Sequence, residues 1–337
     1  MTRTVLKGLH GSNPLGFMAS VGLLRLLGER CGSARLGFTE DGAFRSWVER
    51  DSSLDVVDIV SADAARAAGS QPWRLEYEKT EKQGVKRVAD LKAPPEKFAE
   101  FLASAISEWV EGRSESADYA AAYGTDVAVD GKKNTKPTAL HFTAANQQFL
   151  GTLEETRRKV TRDWVEESLD DRPGKTKPGS NLRWDPDAER SRALMGVNPN
   201  DGGTVVNAPL EWLAFRALPA LRCVPIGDRV VTCGVTGRRQ DELRFHWPLW
   251  SGGASYATVR SLVSLTAAWV ENEEAIQRRI AERRKSAEHR HSVSRLQRDL
   301  ERAIDSRRAR GVFAVCTSAI RRTAQGFGNF GPAHVRA

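Results

Sequence analysis

The strongest chemical signal in this sequence is a concentration of arginine near its carboxy-terminal end. Residues 278–310 hold twelve lysines or arginines against five acids, so this window carries +7 of the formal net charge of +8. Arginine binds phosphate bidentately and stacks on nucleobases, and the acids are too few to neutralise it. The pattern predicts a nucleic-acid-binding face. Its candidate residues are Arg278, Arg279, Arg283, Arg284, Lys285, Arg290, Arg295, Arg298, Arg302, Arg307 and Arg308.

A second basic segment lies in the middle of the chain, in a polar stretch that we interpret as an exposed loop. It could contact a phosphate or a DNA groove. The candidate residues there are Lys132, Lys133, Asn134 and Lys136. Both basic segments also have a simpler interpretation. The loop can be an ordinary solvated turn, and the window can be a solvated helical pair held by ion pairs such as Glu274 with Arg278.

The sequence lacks the residue spacing that nucleotide-binding and metal-binding motifs require. Gly174-Lys175-Thr176 resembles the end of a phosphate-binding P-loop, but Leu169 stands where that motif needs its first glycine. The six histidines form no H-E-x-x-H motif, and the four cysteines form no C-x-x-C pair. We therefore predict no catalytic residue, no metal and no cofactor. A metal-dependent nuclease, with ligands gathered from distant positions, stays an alternative.

The element that should organise the fold is a helix near the amino terminus. Asn13 can cap it, Pro14 suits its first turn, and Gly28 is a suitable stop. The residues between are apolar on nearly every side, which is typical of a buried helix. Small residues recur at every third position, so another backbone should approach closely; they are Gly16, Ala19 and Gly22.

The chain should fold as an α+β protein with a helical carboxy-terminal part. We predict a mixed body over residues 1–254 that contains the buried amino-terminal helix, and a basic helical bundle or hairpin over residues 255–310. Residues 311–337 should form a terminal strand, returning to pair with the body, and a tail. Apolar spacing predicts a helix over residues 256–269, then two helices separated near residues 286–292.

Further local patterns give more specific expectations. The spacing of Phe44, Trp47 and Val48 is helical, and a helix is expected to run to about residue 168 after a short segment near residue 140. Residues 229–235 and 243–247 are expected to form two strands that pair with each other. The glycine-rich stretch over residues 326–332 suggests a loose tail.

The composition fits a folded protein in a reducing cytoplasm. Hydrophobic residues make up 40% of the chain, and the scattered cysteines suggest no disulfide framework. The opening apolar run is about 14 residues long, shorter than the roughly 20 that a membrane-spanning helix needs. A turn and Arg25 interrupt the pattern of a signal peptide. We expect no membrane association.

Four short motifs, in chain order, resemble those of a known family. They are N-P-L-G-F-x-x-x-x-G-L-L-R-L-L at residues 13–27, F-T-x-x-x-Q-x-F-L at 142–150, W-D-P-x-x-x-R at 184–190 and W-P-L-W at 247–250. Together they look like the large-subunit proteins of type I-G (formerly I-U) CRISPR Cascade-type surveillance complexes, or a close accessory relative.

The resemblance implies a non-catalytic protein near the 5′ end of a guide RNA. It would check a protospacer-adjacent motif on double-stranded target DNA, help to open the duplex and recruit a helicase-nuclease, in contact with CRISPR backbone subunits. The carboxy-terminal helices of such proteins can resemble a separate small subunit that lines the displaced single strand. The residues alone leave another class open, a protein-interaction scaffold whose basic helices dock acidic protein partners.

Overall fold

The computed structural model of the chain describes residues 2–66, 71–81, 84–144, 147–188, 204–284, 290–323 and 326–337. Over these residues the fold is mixed α+β, as predicted. A strand and a long buried helix open it, and a helical hairpin followed by two strands closes it.

Over the described residues, helices alternate with short antiparallel strands. The helices are α1 (Pro14–Cys31), α2 (Val56–Ala65), α3 (Pro95–Val110), α4 (Glu115–Tyr123), α5 (Phe149–Arg158), α6 (Arg162–Leu169), α7 (Ala208–Arg216), α8 (Tyr256–Arg283) and α9 (Arg290–Arg308). The strands are β1 (Thr2–His10), β2 (Ala34–Phe38), β3 (Arg45–Arg50), β4 (Glu76–Glu81), β5 (Gly84–Ala89), β6 (Gly124–Val129), β7 (Thr135–Pro137), β8 (Lys177–Pro178), β9 (Val205–Val206), β10 (Cys223–Ile226), β11 (Arg229–Thr232), β12 (Val235–Thr236), β13 (Arg244–Trp250), β14 (Val312–Arg322) and β15 (Gly328–Arg336).

Helix α1 lies at the centre of the core, with residues 14–27 all buried. The predicted cap is confirmed, because Oδ1 of Asn13 accepts a hydrogen bond from the backbone N–H of Leu15 at 2.8 Å. The predicted close approach of a second backbone is also confirmed. A Cβ on Gly22 would overlap the carbonyl oxygen of Leu213 in α7. Helices α1 and α7 therefore pack almost backbone to backbone.

Two antiparallel sheets contribute to the same core, with strand orders β1-β3-β2 and β12-β13-β14-β15. Two indole N–H groups of β13 fix the second sheet to the amino-terminal region. Trp247 donates to the carbonyl oxygen of Gly11 at 2.7 Å, and Trp250 donates to that of Leu36 at 2.6 Å. These bonds satisfy buried donors that would otherwise destabilise the fold.

The helical hairpin is joined to this body through its first helix. Val259, Val263 and Val270 of α8 belong to the main core, whereas Ile276 and Ile280, further along α8, form a separate small cluster with Leu296 of α9. The hairpin therefore begins inside the body and projects from it. Its two helices agree with the prediction, but α8 continues to residue 283 instead of ending near residue 269. Of the break predicted near residues 286–292, residues 286–289 lie outside the described residues and residues 290–292 belong to α9.

The carboxy-terminal segment is an integral part of the body. Strand β14 pairs with β13 on one side and with β15 on the other. The returning strand at residue 312 is thus confirmed. The prediction of a loose tail over residues 326–332 was wrong, because β15 completes the second sheet there.

Several local predictions fail where a distant partner decides the structure. Residues 45–50 form β3, which is paired on both sides by β1 and β2, rather than a helix. The helix expected up to residue 168 is divided into α5 and α6. Strand β11 pairs with β10, and only β12 pairs with β13. Helix α1 passes Gly28 and ends at Cys31, where Gly32 has a φ of 75° and supplies the cap.

None of the described helices combines the length and the apolar character that crossing a membrane would require.

Candidate nucleic-acid interface

The basic window forms the second half of α8 and all of α9, and these helices run antiparallel. Glu273 of α8 lies near Arg307 of α9, while Ile280 packs on Leu296. The apolar contact between the helices is small, so most of the hairpin surface faces solvent. The arginines of the hairpin therefore face solvent unless they lie on the side where the two helices pack together.

Most of the predicted arginines are exposed. The exposed side chains are those of Arg278, Arg279, Arg284, Arg295, Arg298, Arg302 and Arg308. Arg283 is half-buried. Lys285 and the side chain of Arg290 lie outside the described residues. On α9, Arg295, Arg298 and Arg302 follow the spacing i, i+3, i+7, which places them on one face of the helix.

Ion pairing neutralises little of this charge. In the described part of the hairpin, Arg302 contacts Asp299 at 3.5 Å, while Arg295 and Arg298 form no ion pair. The pair expected between Glu274 and Arg278 does not form, because the carboxylate of Glu274 accepts a hydrogen bond from Arg336 at 2.8 Å. We call the face formed by Arg295, Arg298 and Arg302 the α9 face. It thus carries an excess of exposed positive charge.

Arg307 is a correction to the predicted set. Its side chain is 1% exposed, and its Nε lies 3.3 Å from the carboxylate of Glu273. It continues the apolar stripe of α9, seven residues after Leu300, so it turns towards α8 rather than towards solvent. That spacing was visible in the sequence and could have separated Arg307 from its neighbour Arg308.

The second predicted segment forms a tight turn between β6 and β7. The carboxylate of Asp130 accepts hydrogen bonds from the backbone N–H groups of Lys132 and Asn134 at 2.8 and 3.0 Å, and Lys133 has a φ of 62°. Lys132 and Lys133 are exposed, and Asn134 is half-buried. Lys136 instead donates to the backbone carbonyl of Asp228 at 2.6 Å, in the turn after β10. The turn is therefore built by its own backbone, with two lysines at its tip.

The described parts of the four motifs that carry the family resemblance meet in one place, while Arg190 lies outside the described residues. The amide of Asn13 donates to the carboxylate of Asp185 at 3.0 Å. The ring of Phe17 lies 5.9 Å from that of Trp247, and the ring of Phe149 lies 5.8 Å from that of Trp184. Residues far apart in sequence thus form one packing unit around the start of α1.

A cavity of about 410 Å³ lies beside this unit, and Asp185 and Asp187 are the acids that line it. Burial raises the pKa of Asp185 above its usual value, although the hydrogen bond from Asn13 opposes the rise. Burial also raises the pKa of nearby Glu211 to about 8. Glu211 accepts the backbone N–H of Leu182 at 2.8 Å and is protonated at neutral pH. Through this hydrogen bond the neutral Glu211 side chain connects the segment before Trp184 to α7.

The cavity does not form a P-loop or a metal centre from the described residues. Lys175 forms an ion pair with Asp171, and the short strand β8 follows Thr176 where a P-loop would begin a helix. No group of three or more His, Cys, Asp or Glu residues in the described parts of the chain is arranged to hold a metal ion.

No protein-family model matches this chain, and no curated protein is significantly similar to it in sequence.

Two histidines outside the basic segments have buried partners. His141 lies 2.9 Å from the carboxylate of Asp90, and burial lowers its pKa. His246 contacts the hydroxyls of Thr236 and Thr317 at 2.8 Å each, and burial lowers its pKa to about 4. Both rings are neutral at pH 7, so neither adds to the basic surfaces. The partners come from distant segments, which no short spacing rule detects.

Proposed function

We propose that this chain is a non-catalytic large subunit of a type I CRISPR RNA-guided DNA surveillance complex, in which the α9 face binds the nucleic-acid backbone. The observation that carries the nucleic-acid part is the row of Arg295, Arg298 and Arg302, exposed and almost free of acidic partners. The sequence motifs supply the rest of the proposal. The partners of the protein, which would act in the cytoplasm, would be a guide RNA, double-stranded target DNA, the displaced strand, CRISPR backbone subunits and a helicase-nuclease.

In such a complex, this protein needs cations that hold the nucleic-acid backbone rather than catalytic acids. Base pairing with the guide supplies sequence specificity, while protein groups hold the backbone and read a short motif. Arginines on one helical face suit backbone contacts because each guanidinium can bind a phosphate bidentately. Affinity arising in this way falls steeply with salt, since each phosphate contact releases counterions.

The turn formed by Lys132 and Lys133 is the second place where this proposal puts DNA contacts. A hairpin turn with two exposed lysines can follow a phosphate backbone or enter a groove. The turn of Gly11, Ser12 and Asn13 is less suited to reading a DNA motif. Asn13 is committed to capping α1 and to Asp185, which favours a structural role for it.

A protein-interaction scaffold is the second candidate, and a different feature favours it. At the end of α3, Ile106, Trp109 and Val110 are 48%, 60% and 77% exposed. Exposed apolar side chains grouped on one helix end are typical of contacts with other proteins. Such a subunit would join a defence complex without touching nucleic acid.

Binding measurements on the purified chain separate these functions. We expect a gel-shift with single-stranded and duplex DNA, and co-purification with a guide RNA when the backbone subunits are co-expressed. Binding to the protein subunits without any nucleic-acid contact would favour the scaffold. DNA cleavage in magnesium or manganese that a chelator abolishes would overturn the non-catalytic assignment and favour the nuclease.

A further inference from the structure

A second basic site lies in a cleft of about 320 Å³, away from the helical hairpin. The β6–β7 and β10–β11 hairpins, the loop after β12 and the end of β14 form its walls. Six cationic side chains line it against one carboxylate, that of Asp130. The cations are Lys92, Lys136, Arg229, Arg238, Arg239 and Arg322. A concave surface with this imbalance attracts anions.

Arg322, the last residue of β14, is the most constrained of these cations. Its Nη1 donates to the carbonyl oxygen of His141 at 3.1 Å, and its Nη2 donates to that of Ala139 at 3.1 Å. Its guanidinium also lies 5.8 Å from the ring of Phe142. The side chain is held in one orientation, and burial lowers its pKa. No carboxylate in the described parts of the chain forms an ion pair with it.

The orientation of Arg322 leaves donors unused. A guanidinium has five N–H donors in a planar fork. The two carbonyl bonds use two of them, so three N–H donors of this cleft-lining residue have no hydrogen-bond partner among the described residues. A pre-positioned arginine with free donors is suited to bidentate binding of a phosphate.

The neighbouring groups neutralise only part of this charge, because Lys136 lies 3.7 Å from the carboxylate of Asp228 and Arg239 lies 3.4 Å from that of Asp241. Asp130 already accepts the backbone N–H groups that close the β6–β7 turn. Asp90 is ionised and bonded to the neutral ring of His141, and it forms no ion pair with Arg322. Lys92 and Arg229 form no ion pair with any described residue. A purely structural role explains the two carbonyl bonds of Arg322, but not why further cations surround it.

We propose that this cleft binds a phosphate group, carried by a free nucleotide or by the end of a nucleic-acid strand, through Arg322 together with Lys92 and Arg229. The volume is at the small end of ligand sites, which span about 300–1,000 Å³, and suits one or two nucleotide units. The site is independent of the α9 face and does not rest on the proposed function.

Calorimetric titration of the full chain with three probes tests the site. The probes are inorganic phosphate, adenosine monophosphate and a 5′-phosphorylated trinucleotide, with the unphosphorylated trinucleotide as a control. We expect the phosphorylated probes to bind and the control to bind at least about tenfold more weakly, as the loss of a charge-assisted hydrogen-bonded pair predicts. Preference for adenosine monophosphate identifies a free nucleotide, and preference for the phosphorylated trinucleotide identifies a strand end.

Variants decide which residues are responsible. Arg322→Lys keeps the charge but removes the planar fork, and Lys92→Gln with Arg229→Gln removes two partly exposed charges with little risk to folding. Each should weaken the binding of the phosphorylated probes about tenfold. Arg113→Gln, at an exposed arginine that pairs with Glu111 and does not line the cleft, should leave their binding unchanged. Absence of binding by the wild-type chain, or equal binding by the Lys92 and Arg229 double variant, would overturn the proposal.

Discussion

The guanidinium of Arg307 lies 3.3 Å from the carboxylate of Glu273, so one arginine of the basic window fastens α9 to α8 instead of facing solvent. Replacing Arg307 with alanine leaves a buried carboxylate without its partner. We expect a loss of about 3–5 kcal/mol in the free energy of unfolding. Urea denaturation followed by circular dichroism measures it.

The adjacent residue provides a matched control for this pair. Arg308 is exposed and has no ion pair within the described residues, so Arg308→Ala should change stability by less than about 0.5 kcal/mol. Replacing both partners, as Glu273→Leu with Arg307→Met, should recover much of the stability lost by Arg307→Ala. Equal effects of the Arg307 and Arg308 variants would refute the buried pair.

The contact between α1 and α7 predicts opposite effects for two glycines of one helix. Gly22→Ala places a Cβ against the carbonyl oxygen of Leu213, so the helices must separate and the chain should be strongly destabilised or insoluble. Gly28→Ala meets nothing within 4 Å and should stabilise α1 by about 0.5–1 kcal/mol. Thermal unfolding of both variants checks the prediction; a Gly22→Ala protein as stable as wild type would contradict it.

Glu211 predicts a specific dependence of stability on pH. Its pKa is about 8 in the fold against an ordinary value of 4.5, so its favourable contribution is complete below pH 4.5 and declines as the pH rises towards 8. The slope is at most about 1.4 kcal/mol per pH unit, because the unfolded state loses the proton first.

Glu211→Gln tests this pH dependence directly. The amide oxygen can still accept the N–H of Leu182 but cannot ionise. The variant should therefore match wild type near pH 4 and exceed its melting temperature near pH 8. Parallel stability curves for the two proteins across this range would show that Glu211 does not titrate as described.

The sequence predicted those parts of the fold that depend on local physics. The cap of Asn13, the buried α1, the small residue Gly22 and the helices of the basic hairpin all follow from neighbouring residues. Strand β3 was missed because Trp47 and Val48 match a helical period, while their structure is decided by β1 and β2 on either side.

The candidate site shows the same limit. Exposure of the α9 face could be predicted because arginine density alone signals it. The cleft around Arg322 could not, because its cations come from residues 92, 136, 229, 238, 239 and 322, which only the tertiary fold brings together. The pairing of His141 with Asp90, 51 residues apart, was hidden for the same reason.

The salt dependence of DNA binding tests the central claim most directly. The triple variant Arg295→Gln, Arg298→Gln and Arg302→Gln should bind duplex DNA more weakly, and the slope of log affinity against log salt should become shallower by about 2 to 3. A charge-matched control replaces Arg66, Arg113 and Arg158, which are exposed but paired with acids elsewhere on the molecule. It should keep the wild-type slope. An unchanged slope in the α9 variant, or an equal reduction in the control, would contradict the assignment of the α9 face to nucleic-acid binding.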